Sequence, residues 1–382
     1  MSVVGARPNF MKIAPFAQAI EAHNRESSPV IEHILLHTGQ HYDDAMSRMF
    51  FEALAIPDAD INLGIGSGSH AQQVGQTMIA FEQVVREKKP DWVVVVGDVN
   101  ATCACSITAK KEQVRVAHIE AGLRSRDMSM PEEINRMVTD RLSDLLLTPD
   151  RLSGDNLRSE GVPEDRIRFV GNIMIDTLEA QKGKAEKLGL EEVVRANLHR
   201  GADRGRQKAE LREQGITVMT MHRPSNVDSA EVLGDLVDFC RLEVCAEMPL
   251  VWPLHPRTEN NLREFGLWEK VVGTPGIILL NPVGYHEMLR LNMAARVMLT
   301  DSGGLQEECC VLGTPCLTLR WNTERPVTLK EHGGASVLVG NEIKRIREAW
   351  RQTLDEDRRP VRPELWDGKT AQRIVRVMAA RG

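Results

Sequence analysis

The chain has 382 residues, more than one hydrophobic core usually supports, so two domains are expected. Hydrophobic residues make up 42% and charged residues 27%, a globular composition that excludes intrinsic disorder. A net charge of −6 and an aromatic content of 4% provide neither the basic field nor the stacking platforms of nucleic-acid binding, so no nucleic-acid partner is expected.

The wholly apolar runs are short, such as 92–96, and fall far below the roughly 20 residues that cross a bilayer. No membrane association is expected. The opening MSVVGARPNF lacks a basic stretch followed by an apolar region and a small-residue cleavage site, which predicts a cytoplasmic location. The seven cysteines include no C-x-x-C pair with zinc spacing, so buried reduced thiols and no metal site are expected.

Short β-rich runs alternate with helical stretches, which is typical of a parallel sheet with helices on both faces. The first half predicts helices over 71–88 and 132–143, and strands at 1–4, 30–36, 92–96, 114–119, 145–148 and 167–170. The second half predicts strands at 216–220, 250–254, 277–280, 297–300, 316–319 and 337–339. The predicted fold class is α/β, with two Rossmann-like, doubly wound parallel-sheet domains facing a central cleft.

The strand pattern stops in a charged, glycine-punctuated stretch near 180–214, which marks the connection between domains. We therefore predict an N-terminal domain of residues 1–180, a connection of 181–215 and a C-terminal domain of 216–364. Residues 365–382 are expected to form a helix that returns to the first domain.

Polar residues follow nearly every predicted strand, at the edge where open α/β sheets bind ligands. Each such segment alone is equally compatible with a solvated loop. Their occurrence in both halves favours a ligand site, and they include Gly5 to Arg7, His37 to His41, Gly97-Asp98, Glu120 to Arg124, His222-Arg223, His255 to Arg257, Asn281-Pro282, Asp301 to Gly304 and Arg320 to Arg325.

The segment from Asp301 to Glu308 places two glycines, Gly303 and Gly304, between a predicted strand and a predicted helix. Glycines at a helix N-terminus let a pyrophosphate approach the free backbone N–H groups. A plain turn capped by Ser302 is the alternative. Glu308, one turn into the helix, could accept both ribose hydroxyls.

Two cations, Arg7 and Lys12, lie near the end of the first predicted strand, where they would suit a phosphate or simply be solvated. Three carboxylates, Asp98, Glu120 and Glu132, recur at or just past strand ends, and carboxylates gathered in a dry cleft can divide acid and base roles.

Glu132 and Arg136 lie one helical turn apart and are also compatible with an ordinary i,i+4 pair. For Glu133 we expect an ordinary pair of that kind. His222 follows a predicted strand, where a histidine of the cleft would stand, although a lone histidine is more often structural.

The glycine-rich run from Gly64 to Ser69 does not fit G-x-G-x-x-G and follows no convincing strand. NAD binding is rejected on that ground, and no cofactor is predicted.

With GARPNFMKIAP, HTGQHYD, GDVNAT, HIEAGLRS, MPEEINR, MHRPSNVD, DSGGLQEE and NTERP in this order, the chain closely resembles the non-hydrolysing UDP-N-acetylglucosamine 2-epimerases over nearly its whole length. The resemblance implies a GT-B fold, a homodimer and a role in cell-surface polysaccharide biosynthesis. It also implies cofactor-free epimerisation of UDP-N-acetylglucosamine to UDP-N-acetylmannosamine, by elimination of UDP to a 2-acetamidoglucal and re-addition.

Residue by residue, the resemblance implies a group that holds UDP and a group that carries the chemistry. The UDP-binding group is Arg7, Ser302, Gly303, Gly304, Glu308 and Arg325, with Lys12 nearby. Asp98, Glu120, Glu132 and His222 match the catalytic residues, Arg136 would orient the carboxylates, and His255 matches another residue of the cleft.

One segment departs from the bacterial members that their own substrate activates. Those members carry a Gln-His-x-Gln-Met type segment, whereas residues Gln40 to Met46 here include Asp43 and Asp44, which would repel a nucleotide diphosphate. His70 stands where an arginine would be sought in those members. We therefore expect little activation by substrate.

Four alternatives remain open at this point. A hydrolysing relative would release N-acetylmannosamine and UDP, an epimerase of a diacetamido uronic acid UDP-sugar would use another substrate, and a GT-B glycosyltransferase would need an acceptor. A non-catalytic sugar-nucleotide sensor would bind UDP without turnover, and the joint presence of Asp98, Glu120, Glu132 and His222 weighs against it.

Overall fold

The computed structural model describes residues 1–5, 7–28, 30–39, 58–201, 211 and 215–381, without the side chains of Arg7 and Pro8. The chain divides into two compact units. The first comprises Met1–Ala180 together with Pro363–Gly382, and the second comprises Gln181–Arg362.

The first unit is built on a parallel sheet whose strands, within the described ranges, follow the order β3-β2-β1-β4-β5-β6-β7. They are β1 (Ser2–Val4), β2 (Leu35–His37), β3 (Ile61–Asn62), β4 (Trp92–Val96), β5 (Arg115–Ile119), β6 (Leu145–Thr148) and β7 (Ile167–Phe169). The helices are α1 (Arg7–Glu26), α2 (His70–Lys88), α3 (Asn100–Lys111), α4 (Pro131–Leu142), α5 (Arg151–Ser159), α6 (Ile173–Ala185) and, from the C-terminus, α16 (Thr370–Ala379). The strand order reverses direction between β1 and β4, which is the topological switch point of this sheet.

Strand β4 shows why the sequence forms this sheet. All five of its residues are buried, because helices cover both faces of a doubly wound parallel sheet and neither face meets water. Phe81 and Val85 of α2 belong to the same apolar cluster as Val93 and Val95 of β4.

The C-terminal segment is built into the first unit. Asp176 of α6 accepts hydrogen bonds from the backbone N–H groups of Thr370 (3.0 Å) and Ala371 (2.7 Å), which caps α16. Trp366 is 1% exposed, and its indole Nε1 donates to the carbonyl of Pro149 at 3.0 Å.

The second unit repeats the architecture, with the described strands in the parallel order β10-β9-β8-β11-β12-β13 and the switch point between β8 and β11. They are β8 (Ile216–Thr220), β9 (Leu250–Pro253), β10 (Ile277–Leu280), β11 (Ala295–Thr300), β12 (Cys316–Thr318) and β13 (Ser336–Leu338). The helices are α7 (Leu190–Asn197), α8 (Pro224–Val227), α9 (Ala230–Phe239), α10 (Cys245–Glu247), α11 (Pro256–Glu264), α12 (Trp268–Val272), α13 (Tyr285–Ala294), α14 (Gly303–Leu312) and α15 (Ile343–Leu354).

The segment 181–215, predicted as a connection, contains part of the second unit. Leu190, Val193 and Val194 of α7 share an apolar cluster with Val218 of β8. The strand pattern stopped in this segment because a packed helix occupies it.

The predicted strands agree with the observed ones to within a few residues, with two exceptions. Residues 30–34 are not strand, since β2 begins at Leu35, and the two-residue β3 was not predicted. The rejected glycine-rich run ends in a helix cap, in which Ser69 and Gln72 form a capping box at the start of α2. Within the described part of the chain, no helix combines the length and apolarity needed to cross a membrane.

Candidate active site

In the first unit, Asn9 connects the two strand ends at the switch point. Its Oδ1 accepts from the N–H of Gly5 at 3.2 Å, and its Nδ2 donates to the carbonyl of Val96 at 2.9 Å. The chain then turns at Gly97, whose φ of +68° favours glycine. A Cβ at Gly97 would lie 3.1 Å from Nζ of Lys12, so the glycine also leaves room for that ammonium group.

Lys12 of α1 forms a buried ion pair with Glu120, which follows β5. Nζ lies 2.5 Å from Oε2, and the two side chains are 8% and 3% exposed. Glu120 has a φ of +70°, a left-handed conformation that costs a non-glycine residue free energy and that clusters at functional sites. The structure therefore places Lys12 against one of the carboxylates predicted to be catalytic.

Arg136 of α4 joins two carboxylates. Its Nη1 lies 2.5 Å from Oδ2 of Asp98, and its Nε donates to Oε2 of Glu133 at 3.0 Å. Arg136 and Glu133 are each 1% exposed, whereas the side chain of Asp98 is 27% exposed. Asp98 is thus the member of this group that a ligand can reach.

An ordinary helical pair was expected for Glu133, and Glu133 does form a helical pair with Arg136, but a buried one. Glu133 is buried and pairs with Arg136 at i,i+3, while Glu132 is exposed on the same helical turn. Successive residues of a helix point in directions about 100° apart, so adjacent glutamates meet different surroundings.

A second buried network supports the turn at Gly97. His118 of β5 bonds through Nε2 with the carbonyl of Gly97 (2.8 Å) and through Nδ1 with Asp140 (2.7 Å). Asp140 also accepts from Arg124 at 2.7 Å. Burial alone would raise the pKa of Asp140, but His118 and Arg124 outweigh it and hold that pKa below its usual value.

In the second unit, Asp301 lies fully buried at the end of β11 and organises the end of β8. Its carboxylate accepts from the backbone N–H groups of His222 (3.0 Å) and Arg223 (2.9 Å) and from Nδ2 of Asn226 (3.0 Å). Oδ1 also lies 2.9 Å from Nδ1 of His222. Burial would raise the pKa of Asp301, but these partners lower it below its usual value, so Asp301 is ionised and orients the imidazole.

The imidazole of His222 stands next to a second histidine, with 5.5 Å between its ring centroid and that of His255. His255 caps α11 and accepts from the N–H of Arg257 at 3.2 Å through Nδ1. Burial and the neighbouring His222 lower the pKa of His255, which favours the neutral ring that this acceptor role needs.

Ser302, Gly303 and Gly304 form the N-terminus of α14, as predicted from the sequence. A Cβ on Gly303 would lie 2.7 Å from Nη1 of Arg325, whereas a Cβ on Gly304 would meet nothing within 4 Å. A side chain at Gly303 would therefore force the guanidinium of Arg325 to shift, and the helix end beside Gly304 is open to a ligand.

Arg325 belongs to a buried chain of charges. Its Nε donates to Oε1 of Glu307 at 2.6 Å, its Nη1 pairs with Glu324, and Glu324 accepts from Arg320 at 2.7 Å. These partners hold the guanidinium beside the helix N-terminus, where anions bind.

Glu308 is buried on α14. Burial, with a smaller contribution from the charge of Glu307, raises the pKa of Glu308 to about 7, although interactions with Tyr285 and Asn292 lower it in part. A carboxyl with such a pKa can change its protonation state when a ligand arrives.

Most predicted site residues therefore lie at the two switch points, in one group per unit. Arg7 begins α1, but its side chain lies outside the described residues, as does the segment 40–46 on which the prediction about substrate activation rests. His70 begins α2, and its Nδ1 lies 3.3 Å from Oδ1 of Asn100.

Sequence reasoning did not identify the roles of four buried carboxylates that hold site residues: Glu133, Asp301, Glu307 and Glu324. Each stands within the motifs quoted above, next to or near a predicted site residue. For the first three, these roles depend on partners distant in sequence, which motif spacing does not reveal.

The fold matches solved structures of two-domain sugar-nucleotide enzymes. The crystal structure of Methanocaldococcus jannaschii UDP-GlcNAc 2-epimerase in complex with UDP-GlcNAc and UDP superimposes with a TM-score of 0.86 at 37% identity, covering 100% of this chain and 99% of that one. A glycotransferase of kitacinnamycin shares the fold alone, with a TM-score of 0.56 at 13% identity. The class is therefore a GT-B type enzyme with two Rossmann-like α/β units.

Sequence comparison identifies the family within that class. The family model for UDP-N-acetylglucosamine 2-epimerase matches residues 23–379. UDP-N-acetylglucosamine 2-epimerase of M. jannaschii is 39% identical over 98% of this chain and 97% of its own length. UDP-2,3-diacetamido-2,3-dideoxy-D-glucuronate 2-epimerase of Pseudomonas aeruginosa is 36% identical over 99% of each. The chain belongs to the UDP-N-acetylglucosamine 2-epimerase family and is an isomerase.

Proposed function

We propose that this enzyme interconverts UDP-N-acetylglucosamine and UDP-N-acetylmannosamine by eliminating UDP and adding it back. The observation that carries the proposal is the pairing of candidate acid–base carboxylates with buried cations, Asp98 with Arg136 and Glu120 with Lys12, in a member of this family. The M. jannaschii relative solved with UDP-GlcNAc and UDP supports the same substrate.

Carbon-2 of the sugar has no adjacent carbonyl, so a simple enolate route is closed. A carboxylate takes the carbon-2 proton, the C–H electron pair forms a double bond to carbon-1, and the C1–O pair leaves with UDP. The product of this step is 2-acetamidoglucal. UDP then adds to carbon-1 while a proton reaches carbon-2 from the opposite face, and the configuration is inverted.

The residues divide between these tasks. Asp98, Glu120, Glu132 and His222 carry the proton transfers, and Arg136 orients the carboxylates. The N-terminus of α14 and Arg325 stabilise the leaving diphosphate, with Arg7 and His255 as further substrate contacts, while Glu308 accepts from the ribose. The short bond from Lys12 to Glu120 supports a role for Lys12 beside the carboxylates as well.

The test is incubation with UDP-N-acetylglucosamine in heavy water. The carbon-2 proton leaves during elimination, so UDP-N-acetylmannosamine deuterated at carbon-2 should accumulate, detected by NMR and mass spectrometry. Epimer without deuterium would refute the elimination route, and absence of epimer would refute the activity.

Asp98→Asn keeps the shape of the side chain and removes its charge. If Asp98 transfers a proton, the rate should fall by about 10²–10⁴-fold while UDP still binds, as measured by kinetics and calorimetry. Carbon-2 exchange at the wild-type rate would move the role to Glu120 or Glu132.

A second substrate is favoured by one comparison. The P. aeruginosa relative is named for UDP-2,3-diacetamido-2,3-dideoxy-D-glucuronate, and its 36% identity nearly equals the 39% of the M. jannaschii relative. Comparing kcat/KM for the two UDP-sugars decides between them. Release of free N-acetylmannosamine would instead indicate hydrolysis, and a requirement for an acceptor would indicate a transferase.

We also propose a homodimer in the cytoplasm. Ile134 and Met137, one turn apart on α4, are 46% and 40% exposed, which suits a protein contact. Light scattering should report twice the mass of the chain, and a lower mass for the Met137→Glu variant.

The seven cysteines are all free, as expected in a reducing compartment such as the cytoplasm. Cell fractionation tests this location.

A further inference from the structure

Glu133 is a buried charge that the proposed chemistry does not use. Every group that contacts its carboxylate is a donor: the N–H (3.0 Å) and Oγ (3.1 Å) of Ser125, the N–H of Arg126 (2.9 Å), and Arg136. Burial raises the pKa of Glu133, but these donors outweigh burial and hold that pKa below its usual value. The carboxylate is therefore ionised at neutral pH.

This anion connects the loop after β5 to the guanidinium of Arg136. The loop contributes two backbone N–H groups, and backbone donors cannot turn away as side chains can, so Glu133 is fixed in place. Arg136 in turn has two carboxylate partners, with Nε on Glu133 and Nη1 on Asp98. A planar guanidinium held at Nε has its Nη1 direction set as well.

Two adjacent residues of helix α4 thus contact Asp98. Asn135 donates from Nδ2 to the backbone carbonyl of Asp98 at 2.9 Å, and Arg136 contacts its side chain. The backbone contact fixes where Asp98 stands, and the guanidinium fixes where its carboxylate points. Of these two contacts with Asp98, only the one made by the guanidinium depends on Glu133.

We propose that Glu133 is a positioning residue that orients the carboxylate of Asp98 through Arg136, an inference that rests on the proposed acid–base role of Asp98. Glu133 does not touch the substrate. Its contribution is geometric, because proton transfer from carbon requires a carboxylate held in one orientation, and small misplacements reduce rates steeply.

Glu133→Gln tests the proposal with an almost isosteric change. The amide oxygen can replace one carboxylate oxygen, but the charge that holds Arg136 is lost. The kcat for carbon-2 epimerisation should fall by about 10- to 100-fold while the dissociation constant for UDP stays at the wild-type value, because neither Glu133 nor Asp98 belongs to the proposed UDP-binding group, most of which lies in the other unit.

The matched control is Glu112→Gln, which removes another arginine-paired carboxylate of the same unit. Glu112 accepts from Arg86 at 3.0 and 2.9 Å, away from the networks that hold Asp98 and Gly97. Its kcat should stay near wild type. If Glu133→Gln does not fold, Arg136→Lys keeps the charge but lacks the planar fork that reaches both carboxylates, and it should lose kcat to a similar extent.

A double-mutant cycle separates positioning from general damage. If Glu133 acts through Asp98, then adding Glu133→Gln to Asp98→Asn should cause little further loss, because Asp98 has nothing left to transfer. An equal further loss in the double variant, or weaker UDP binding in parallel with kcat, would overturn the inference. Failure of the proposed function is distinct, because the wild-type enzyme would then form no epimer.

Discussion

Several charged side chains of the candidate site are buried in pairs or networks, and each of these depends on named partners. Asp301 is held by backbone and side-chain donors, Glu133 by a loop, and Arg325 by two glutamates. Isolated charges in such surroundings would be costly, so the partners are as necessary to the site as the residues that meet substrate. Glu308 differs from these residues, because its partners do not offset burial and its pKa is raised.

The affinity for UDP should depend on pH through Glu308. Its pKa of about 7 means that the carboxyl is protonated in the free protein at lower pH, whereas accepting from ribose hydroxyls favours the ionised form. UDP binding should therefore release a proton, and affinity should fall by up to about tenfold for each pH unit below 7.

Calorimetry in buffers of different ionisation enthalpy measures this proton release. The terminal phosphate of UDP also takes up a proton, so the Glu308→Gln variant serves as the reference. The UDP affinity of this variant should depend on pH more weakly, and the remaining dependence should come from UDP alone. The same pH dependence in wild type and variant would exclude Glu308 from the linkage.

At the scale of elements, each candidate site lies where a parallel sheet reverses its winding. Beyond β1 and β4 the chain presents Asn9 and Asp98, and beyond β8 and β11 it presents His222 and Asp301. The helices that follow these strands begin at this edge, so their N-terminal N–H groups are available to an anion that binds there. At the N-terminus of helix α14, a Cβ on Gly304 would meet nothing within 4 Å.

The two glycines of α14 should respond differently to alanine. In Gly303→Ala the new Cβ would displace Arg325, which should lower the free energy of unfolding by about 1–3 kcal/mol and weaken UDP binding. In Gly304→Ala nothing lies within 4 Å, so stability should be unchanged or rise by up to about 1 kcal/mol.

Denaturant unfolding and calorimetry with UDP measure both variants. Weaker UDP binding by the stable Gly304→Ala variant would show that the diphosphate occupies the open space. A Gly303→Ala variant equal to wild type in stability and affinity would contradict the importance of the close approach.

At the scale of the whole molecule, the chain leaves the first unit after residue 180 and re-enters it at 363. The returning segment contributes a buried tryptophan and a capped helix, so the first unit is complete only when the last twenty residues have been added. Its stability therefore depends on residues far apart in sequence.

Trp366→Ala should destabilise the first unit by about 3–5 kcal/mol, because the indole is 1% exposed and its removal leaves a cavity. Trp321→Ala is the control, since that side chain in the second unit is 54% exposed, and its cost should stay within about 1 kcal/mol. Differential scanning calorimetry compares the two variants. Equal transition temperatures would show that the returning segment contributes little.

The fold class, most strand positions and the motifs of the site could be predicted from the amino-acid sequence. Buried parallel strands such as β4 read as continuous apolar runs, and glycines stand where charged side chains approach the backbone closely, as at Gly97 and Gly303. These signals come from residues that are close together in the sequence, so they can be recognised without knowing the fold.

The partners of the individual side chains, in contrast, became known only from the folded chain. Glu132 and Glu133 are chemically identical neighbours, yet one is exposed and the other is buried against Ser125, Arg126 and Arg136. Lys12 and Glu120 meet across 108 positions of the chain. The physical reason is that burial and electrostatic pairing depend on distances in space, which are set by how helices and strands pack and not by their order along the chain.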